Sequence, residues 1–562
     1  MSPAAEPVVV VGSGPSGVHF ALTLLEKGYR VQMLDVGRSG HAPILPDARF
    51  EELKNSLEDP AAFFLGERFE DVVFRRDKDG YNMRWPWSNK AGSTAAPNAS
   101  HSLHGFGQHW KHVFGPLSGY TMQSEGFSPI MSFAQGGLGE AWAAGAFPFN
   151  DTELTAFPFS YTDIEPFYDI VAKRIGISGA IDDLAEFTPV HQHLQSPLEL
   201  NEHAALLLGR YEQRRRTIHN RLGCVLGRSR AATLSQDHAG RKACDHLGRC
   251  LLGCPRESIY SPRFTLQECM KSDRFEYLSG WCVSHFCVND LQQVTSVVAQ
   301  STETGQQQTF PVDTLVLAAG TLATGRIVLE SIRRQTGVVR KLTGLMDTRM
   351  LLIPFFTPAM LCKPSQTDQY QYHHLSVAIR IPGSSEIAHG QITTMTGTTV
   401  HAAVQSLGFD LKTAMYLFRH LHAALGVMMV ALGDERCDDN YLTLDPGEGQ
   451  TPSQLVAHYQ PASDEHDRIR STVRQAVRLL RKLGCIVPPG KTHVRPMGTG
   501  IHYAGTLPMS HERTELSVSP NCRSHDFENL VLADGSTFPS LPGKGLTLSL
   551  MANATRVATR TF

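Results

Sequence analysis

The stretch Val8-Val-Val-Val-Gly12-Ser-Gly14-Pro-Ser-Gly17-Val-His-Phe-Ala-Leu-Thr-Leu-Leu-Glu-Lys-Gly28, continued to Asp35, decides how this chain is read. Four β-branched residues in a row predict a buried strand. Gly12, Gly14 and Gly17 then form G-x-G-x-x-G, and Val18, Ala21, Leu22 and Leu25 carry helical periodicity as far as Gly28. Glycine there suits a left-handed C-cap. A second apolar strand ends on Asp35. Each part answers a need of dinucleotide binding. The first glycine makes the tight turn, the second lets backbone approach a pyrophosphate, and the third lets helix pack on strand. The first helical turn, with Ser16, offers free N–H groups and a partial positive charge to phosphates. Asp35 stands where a carboxylate accepts hydrogen bonds from a ribose diol. A glycine-rich turn alone would be weak evidence; strand, helix, second strand and acid at this spacing predict a dinucleotide site.

Composition bounds what the unit belongs to. With 562 residues, 41% of them hydrophobic, the chain can bury a large core and is long enough for two domains. A net charge of −2 excludes the basic footprint of a nucleic-acid or anionic-membrane binder. Met1-Ser-Pro-Ala-Ala-Glu-Pro7 has no basic region, and Gly12 and Gly14 interrupt the apolar run after it, so no signal peptide is expected. No apolar run is long enough to predict a membrane span. Eleven cysteines, an odd number scattered over the chain, fit reduced thiols and a cytoplasmic location.

Further along, Phe63, Phe64, Phe69 and Phe74 read as buried anchors, and residues 81–150 as ordered loops covering a ligand. Within them Gly136 and Gly137, in Gln135-Gly-Gly-Leu-Gly-Glu-Ala-Trp142, either bring backbone close to a flat cofactor or form a surface turn. A helix is expected up to Ile175, capped by Thr162 or Asp163. The basic run Arg210 to Arg230 reads as a solvated helix face. Thr314 to Ala319 is a short apolar strand closed by Gly320, with helical pattern through Ile327, Val328 and Leu329: a second strand–turn–helix of the nucleotide domain. Between 341 and 460, β-prone runs (Met350 to Thr357, Val377 to Ile381, Val427 to Leu432, Tyr441 to Leu444) alternate with turns around a helix near Leu411 to Leu425. Asp467 to Leu483 is an amphipathic helix. The fold class expected is α/β: a Rossmann-like domain with an inserted α+β substrate domain on a mainly antiparallel sheet. Residues 1–60, 90–150, 215–340 and 490–562 are assigned to the first, and 61–89, 151–214 and 341–489 to the second.

The carboxyl-terminal region carries most about chemistry: Gly498-Thr-Gly-Ile-His502-Tyr-Ala-Gly505-Thr-Leu-Pro-Met509, Asn529-Leu-Val-Leu-Ala-Asp534-Gly535-Ser-Thr-Phe-Pro539 and Lys544-Gly-Leu-Thr547. A glycine-flanked histidine, then a strand ending Ala-Asp-Gly, implies a loop presenting imidazole beside a nucleotide site, although a lone histidine also serves structural roles. Taken with the amino-terminal motif and Gly136-Gly137, these stretches resemble the glucose–methanol–choline (GMC) flavin oxidoreductases from residue 8 to about 557. Trp142 and Tyr161-Thr-Asp-Ile-Glu-Pro-Phe-Tyr168 look like the bacterial branch with sugar and polyol dehydrogenases.

The resemblance implies FAD as cofactor, its ADP half held by Gly12, Gly14, Gly17 and Asp35. Asp534 and Gly535 would contact its pyrophosphate or ribityl, and Ser16, Gly136, Gly137, Ala319, Gly320 and Thr547 complete the expected cofactor set. Some members tether flavin through a histidine just before the tryptophan. That position is Ala141 here, so non-covalent FAD is expected. The implied reaction is oxidation of an alcohol on a sugar, aminosugar or polyol-like small molecule, with hydride passing to flavin N5 and His502 taking the proton. Oxygen, a quinone or a redox protein would accept the electrons. The family's second histidine or asparagine is replaced by Gly545, so Lys544 or a residue of the inserted domain is a candidate substitute. The same departure leaves open a lyase-type enzyme with structural FAD. Cys244, Cys250 and Cys254, with Cys224 and Cys269 nearby, are similar to the thiols of sugar dehydrogenases that carry a three-iron cluster, but the same region occurs in relatives without one. No metal is expected, because the spacing supplies no fourth ligand.

Overall fold

A computed structural model describes residues 6–40, 47–60, 73–77, 80–83, 111–364, 366, 368–394, 409–447 and 453–562. Val8–Val11 forms a strand buried along its whole length, as four β-branched side chains between two covered faces require. It is the centre of a five-stranded parallel sheet, in the order Leu530–Leu532, Leu315–Leu317, Val8–Val11, Val31–Leu34, Phe275–Leu278. Both expected strand–turn–helix units are present and adjacent. Val9 lies beside Leu315, and the helices Pro15–Glu26 and Thr321–Thr336 begin past the carboxyl ends of these neighbouring strands. Open α/β sheets place their ligands at that edge.

The three glycines of the first turn have distinct tasks. Gly12 sits at φ +100°, and a Cβ there would lie 2.7 Å from the Ala318 carbonyl oxygen of the neighbouring strand. A Cβ on Gly17 would collide with the carbonyl oxygen of Gly12, so the third glycine serves the turn's own backbone more than the packing of helix on strand. At Gly14 an added Cβ meets nothing within 4 Å. Its open side faces the ligand edge of the sheet.

The second layer is a six-stranded antiparallel sheet, ordered His493–Val494, Arg349–Phe356, Leu425–Leu432, Ile387–Thr394, Leu375–Arg380, Cys224–Arg228. Side chains alternate between its two faces. Leu351, Ile353, Phe355, Ala388, Ile392, Met428 and Val430 join a core under the helices Glu202–Leu222 and Glu465–Lys482. The residues between them (Met350, His389, Gln391, Met429 and Ala431) line a cavity instead. Register makes this consistent across strands: Ala431 opposes both Met350 and His389, and Met429 opposes Gln391.

Several expectations are corrected. Cys224–Arg228 and His493–Val494 are edge strands of the antiparallel sheet, although the sequence reading places both with the nucleotide domain. The helix Tyr161–Ile175, expected in the other domain, packs Ile164, Phe167, Tyr168 and Val171 into the large core of the parallel sheet. That helix is capped by Ser160, not by Thr162 or Asp163. Asp163 instead accepts from the Ser160 N–H at 3.0 Å and its hydroxyl at 2.8 Å. The helix near 411 stops at Leu421 rather than 425. Not every arginine of the basic run is solvated: Arg214, Arg215 and Arg216 are exposed, whereas Arg230 is buried. Phe63, Phe64 and Phe69 lie outside the described residues. Among the described residues no helix is long and apolar enough to cross a membrane.

Gly17→Ala should destabilise the fold by about 1–3 kcal/mol, the usual cost of forcing a methyl into a packed site. The urea midpoint measures this, and an unchanged midpoint would contradict the assigned contact.

Candidate active site

One cavity of about 390 Å³ collects most of the residues singled out in the sequence: Gly12, Gly14, Ser16, Asp35, Gly137, Ala319, Gly320, His502, Asp534, Gly535, Gly545 and Thr547. Its size is that of a ligand or cofactor site. Three expected residues do not line it: Gly17, Gly136 and Lys544.

At the nucleotide end, the Ser13 hydroxyl donates to Asp35 and accepts from the Gly136 N–H at 3.0 Å. This bond ties the first glycine turn to the Gly136-Gly137 turn, so Gly136 acts through Ser13. Tyr277 OH also donates to Asp35, at 2.9 Å. Burial outweighs these bonds and raises the Asp35 carboxyl to about 6. Asp534 accepts from Gly320 N at 2.9 Å, Thr324 Oγ1 at 2.5 Å and Ser536 N at 3.0 Å. The carboxylate thus ties the start of the helix Thr321–Thr336 to the turn after the last parallel strand. Gly535 is needed for space, since a Cβ would lie 2.5 Å from the Tyr503 carbonyl oxygen.

At the other end, His502 sits on a loop wrapped around Asp347, a residue that the motif reading passed over. The carboxylate of Asp347 is buried and accepts three backbone N–H bonds: from Gly498 at 2.8 Å and Gly500 at 2.9 Å to Oδ2, and from His502 at 2.9 Å to Oδ1. Ile501, between Gly500 and His502, is held at φ +56°, a left-handed conformation costly for a β-branched residue. Burial lifts the Asp347 carboxyl to about 6 despite its three donors. His502 Nδ1 lies 2.8 Å from Thr348 Oγ1. Burial, helped by the nearby charge of Arg495, lowers the imidazole to about 4, so it is neutral near pH 7.

Gly545 stands next to this imidazole. A Cβ there would be 4.0 Å from His502 Nε2 and 3.9 Å from the Gly145 carbonyl oxygen, with nothing closer. The position therefore has room for a side chain it does not carry. Lys544 cannot substitute for it. Its ammonium is buried and donates to Glu153 at 2.7 Å, Pro148 O at 3.2 Å and Phe187 O. Burial lowers Lys544 and raises Glu153, each pulled toward its neutral form and held charged by the other.

The sequence reading missed the antiparallel wall: His373, His389 and Gln391, with Arg495 beside them. A period-two signal was available, because His389 and Gln391 alternate with Ala388, Gly390 and Ile392 in the strand Ile387–Thr394. His373 Nδ1 lies 2.9 Å from Thr393 Oγ1, and the His389 ring packs edge-on to Phe147 at 4.2 Å. Burial lowers His373 to about 4 and His389 to about 3, so both are neutral. His101, His104 and His109 lie outside the described residues. Cys244, Cys250 and Cys254 are free thiols raised by burial where a shift is resolved, at Cys244 and Cys250. Among the described residues no group of three or more His, Cys, Asp or Glu could hold a metal ion.

Residues 437–554 match the family model described as GMC oxidoreductase. The match covers the carboxyl-terminal portion of the chain. It supports the expected class of enzyme, an FAD-dependent oxidoreductase. Three solved structures share the fold at low identity. Pyridoxine 4-oxidase from Mesorbium loti is 14% identical with a TM-score of 0.59, over 99% of this chain and 98% of that one. A variant of Aspergillus oryzae RIB40 formate oxidase is 12% identical, with a TM-score of 0.58 over 99% and 98%. An FAD-dependent oxidoreductase from Chaetomium thermophilum gives 12%, 0.58, 99% and 98%. No curated protein matches the sequence.

The residues present fit a dinucleotide. Gly14 leaves backbone bare at the start of a helix, and Gly320 likewise meets nothing within 4 Å. Gly14→Val should therefore fold, since the residue has φ −64° and ψ 178° and faces open space, yet lose FAD. A protein with wild-type urea midpoint in the apo form and no yellow colour is expected; retained flavin would contradict the cradle. Lys544→Met leaves Glu153 buried without its cation and should cost about 3–5 kcal/mol of stability. Flavin reduction per bound FAD should not change, and a selective loss of reduction would restore Lys544 to the catalytic set.

Proposed function

We propose that this protein oxidises an alcohol group of a small molecule to a carbonyl, with non-covalent FAD as oxidant and His502 as base. The observation that carries the proposal is the orientation of His502. Nδ1 is engaged by Thr348, and Nε2 faces the space beside Gly545 in the cavity that also holds the glycine cradle. In the tautomer protonated at Nδ1, that N–H donates to Thr348 Oγ1 and Nε2 keeps its lone pair for a substrate hydroxyl.

Gly12, Gly14, Ser16 and Asp35 would hold the ADP half of the cofactor, with Ala319, Gly320, Asp534, Gly535 and Thr547 along its length. Bound there, FAD supplies the acceptor for the hydride that leaves the carbinol carbon. The hydroxyl proton goes to His502, so removal of both leaves a neutral carbonyl. Asp347 positions the base by fixing its loop. The wall of Met350, Met429 and Phe147, interspersed with Gln391, His373 and His389, suits a small substrate with polar groups, such as the sugars, aminosugars and polyols of the dehydrogenase-like branch. Ala141 lines the cavity without a group that could tether flavin. The parallel sheet and its core constitute the cofactor domain in this reading, and the antiparallel sheet the substrate domain. Eleven free cysteines favour a reducing compartment such as the cytoplasm. A lyase with structural FAD is the competing reading, favoured by the vacant side chain at Gly545. Anaerobic bleaching of the flavin by an alcohol separates the two.

His502→Ala should retain FAD and slow flavin reduction by about 10²–10⁴-fold, the scale of a positioned general base. Reduction at the wild-type rate would remove His502 from the mechanism. Because its pKa is lowered to about 4, the wild-type imidazole stays neutral across the working range. The ring-proton NMR shift of His502 should then be flat from about pH 5.5 to about pH 8, where an unshifted imidazole would pass through most of its titration. A titration in that window would contradict the buried, neutral base.

A further inference from the structure

The charged residues of the cavity are not equally occupied. Its two carboxylates, Asp35 and Asp534, accept from neighbouring hydroxyls and N–H groups at the nucleotide end. Arg326, one of its two arginines, stacks 4.0 Å over the Tyr120 ring and donates to Ser453 O at 3.2 Å. Arg495 is different. Among the described residues its guanidinium makes no hydrogen bond or ion pair, its nitrogens are not fully sealed against protein, and the residue lines the cavity.

The backbone explains why that side chain is there. Arg495 N donates to Met350 O at 2.9 Å, which continues the pairing of His493–Val494 with the strand Arg349–Phe356. Arg495 therefore belongs to the substrate wall, next to cavity-lining Met350, and not to the glycine turns that receive phosphates. Its charge reaches His502, so the two share one end of the cavity. The carboxylate whose charge it senses is Asp347. Both oxygens of Asp347 are already taken by the N–H groups of Gly498, Gly500 and His502. The histidines of the wall are neutral, so among the described residues Arg495 is the one cavity-lining cation without a hydrogen-bond or ion-pair partner.

We infer that the substrate is a hydroxy acid, whose carboxylate seats on Arg495 while its hydroxyl lies at His502. A cation held in a partly enclosed cavity without a partner is costly, and a planar guanidinium pairs in bidentate fashion with a planar carboxylate. One guanidinium matches one monoanion. This inference rests on the alcohol oxidation proposed above and narrows its substrate to a carboxylate-bearing alcohol.

The test compares hydroxy acids, from glycolate to 4-(hydroxymethyl)benzoate, each with its methyl ester, by anaerobic flavin reduction in the holoenzyme. Benzoate, which cannot be oxidised, is titrated separately against the flavin absorption spectrum. The acids should exceed their esters in the second-order rate constant of flavin reduction by about tenfold or more, the scale of one buried charge pair. Benzoate should perturb the spectrum saturably and compete with the acids. In Arg495→Gln the acid-to-ester ratio should fall to about one and the benzoate perturbation should vanish; Arg495→Lys, a charge without the planar fork, should lie between. Esters equal to acids in the wild type, or an unchanged ratio and benzoate response in Arg495→Gln, would overturn the inference while leaving alcohol oxidation intact. If no alcohol of either kind bleaches the flavin, the proposed reaction falls and the benzoate titration alone decides the anion site. Should Arg495→Gln fail to fold, the wild-type ratio and the response of Arg495→Lys decide between the same outcomes.

Discussion

The buried carboxylate of Asp347 is the interaction on which the His502 end of the cavity depends. Gly498, Gly500 and His502 all direct backbone N–H groups at it, and the loop can close around it only because Gly500 has no Cβ. Ile501 is held left-handed between two of these donors. Strain of that kind persists only where surrounding bonds over-determine the backbone. The imidazole direction follows, with Nδ1 on Thr348 and Nε2 toward Gly545. Burial then keeps the ring neutral, which a proton acceptor requires.

A second brace works at the opposite end. The Ser13 hydroxyl joins Asp35 to the Gly136 N–H, and Asp534 joins the start of one helix to the turn after the last parallel strand. Both carboxylates shape backbone cradles as well as lining the cavity. The acid at the end of the second strand thus has a structural duty before any ribose arrives.

Between the two ends lies the antiparallel sheet, whose alternation divides one set of strands between a packed core and a chemical wall. The wall is mostly neutral. Lys544, adjacent in sequence to the vacant position at Gly545, turns away into a buried pair with Glu153. The cavity-lining cation that has no partner, Arg495, comes from the far edge of the sheet. The unpaired charge of this site is set by which strand edge reaches it, whereas its two carboxylates, Asp35 and Asp534, come from the motifs.

Residues 8–35 determined by themselves that strand, bare glycine turn, helix and second strand would follow one another, because each requirement there is local: β-branched strand, bare turn, capped helix, terminal acid. Thr314 to Gly320 and Asn529 to Gly535 were legible for the same reason, and so was the glycine-flanked His502. The ownership of Cys224–Arg228 and His493–Val494 was not legible, since edge strands are too short for their partners to be read from periodicity. Asp347 carries no motif, and its role exists only once three N–H groups some 150 residues later converge on it. Lys544 looked available beside Gly545 until packing buried it against Glu153. Arg495 looked like one more arginine until the sheet closed the cavity over it. Local backbone demands are written in neighbouring residues; which charged side chain is sealed and which is left open is decided by long-range packing, and the tertiary structure alone contains it.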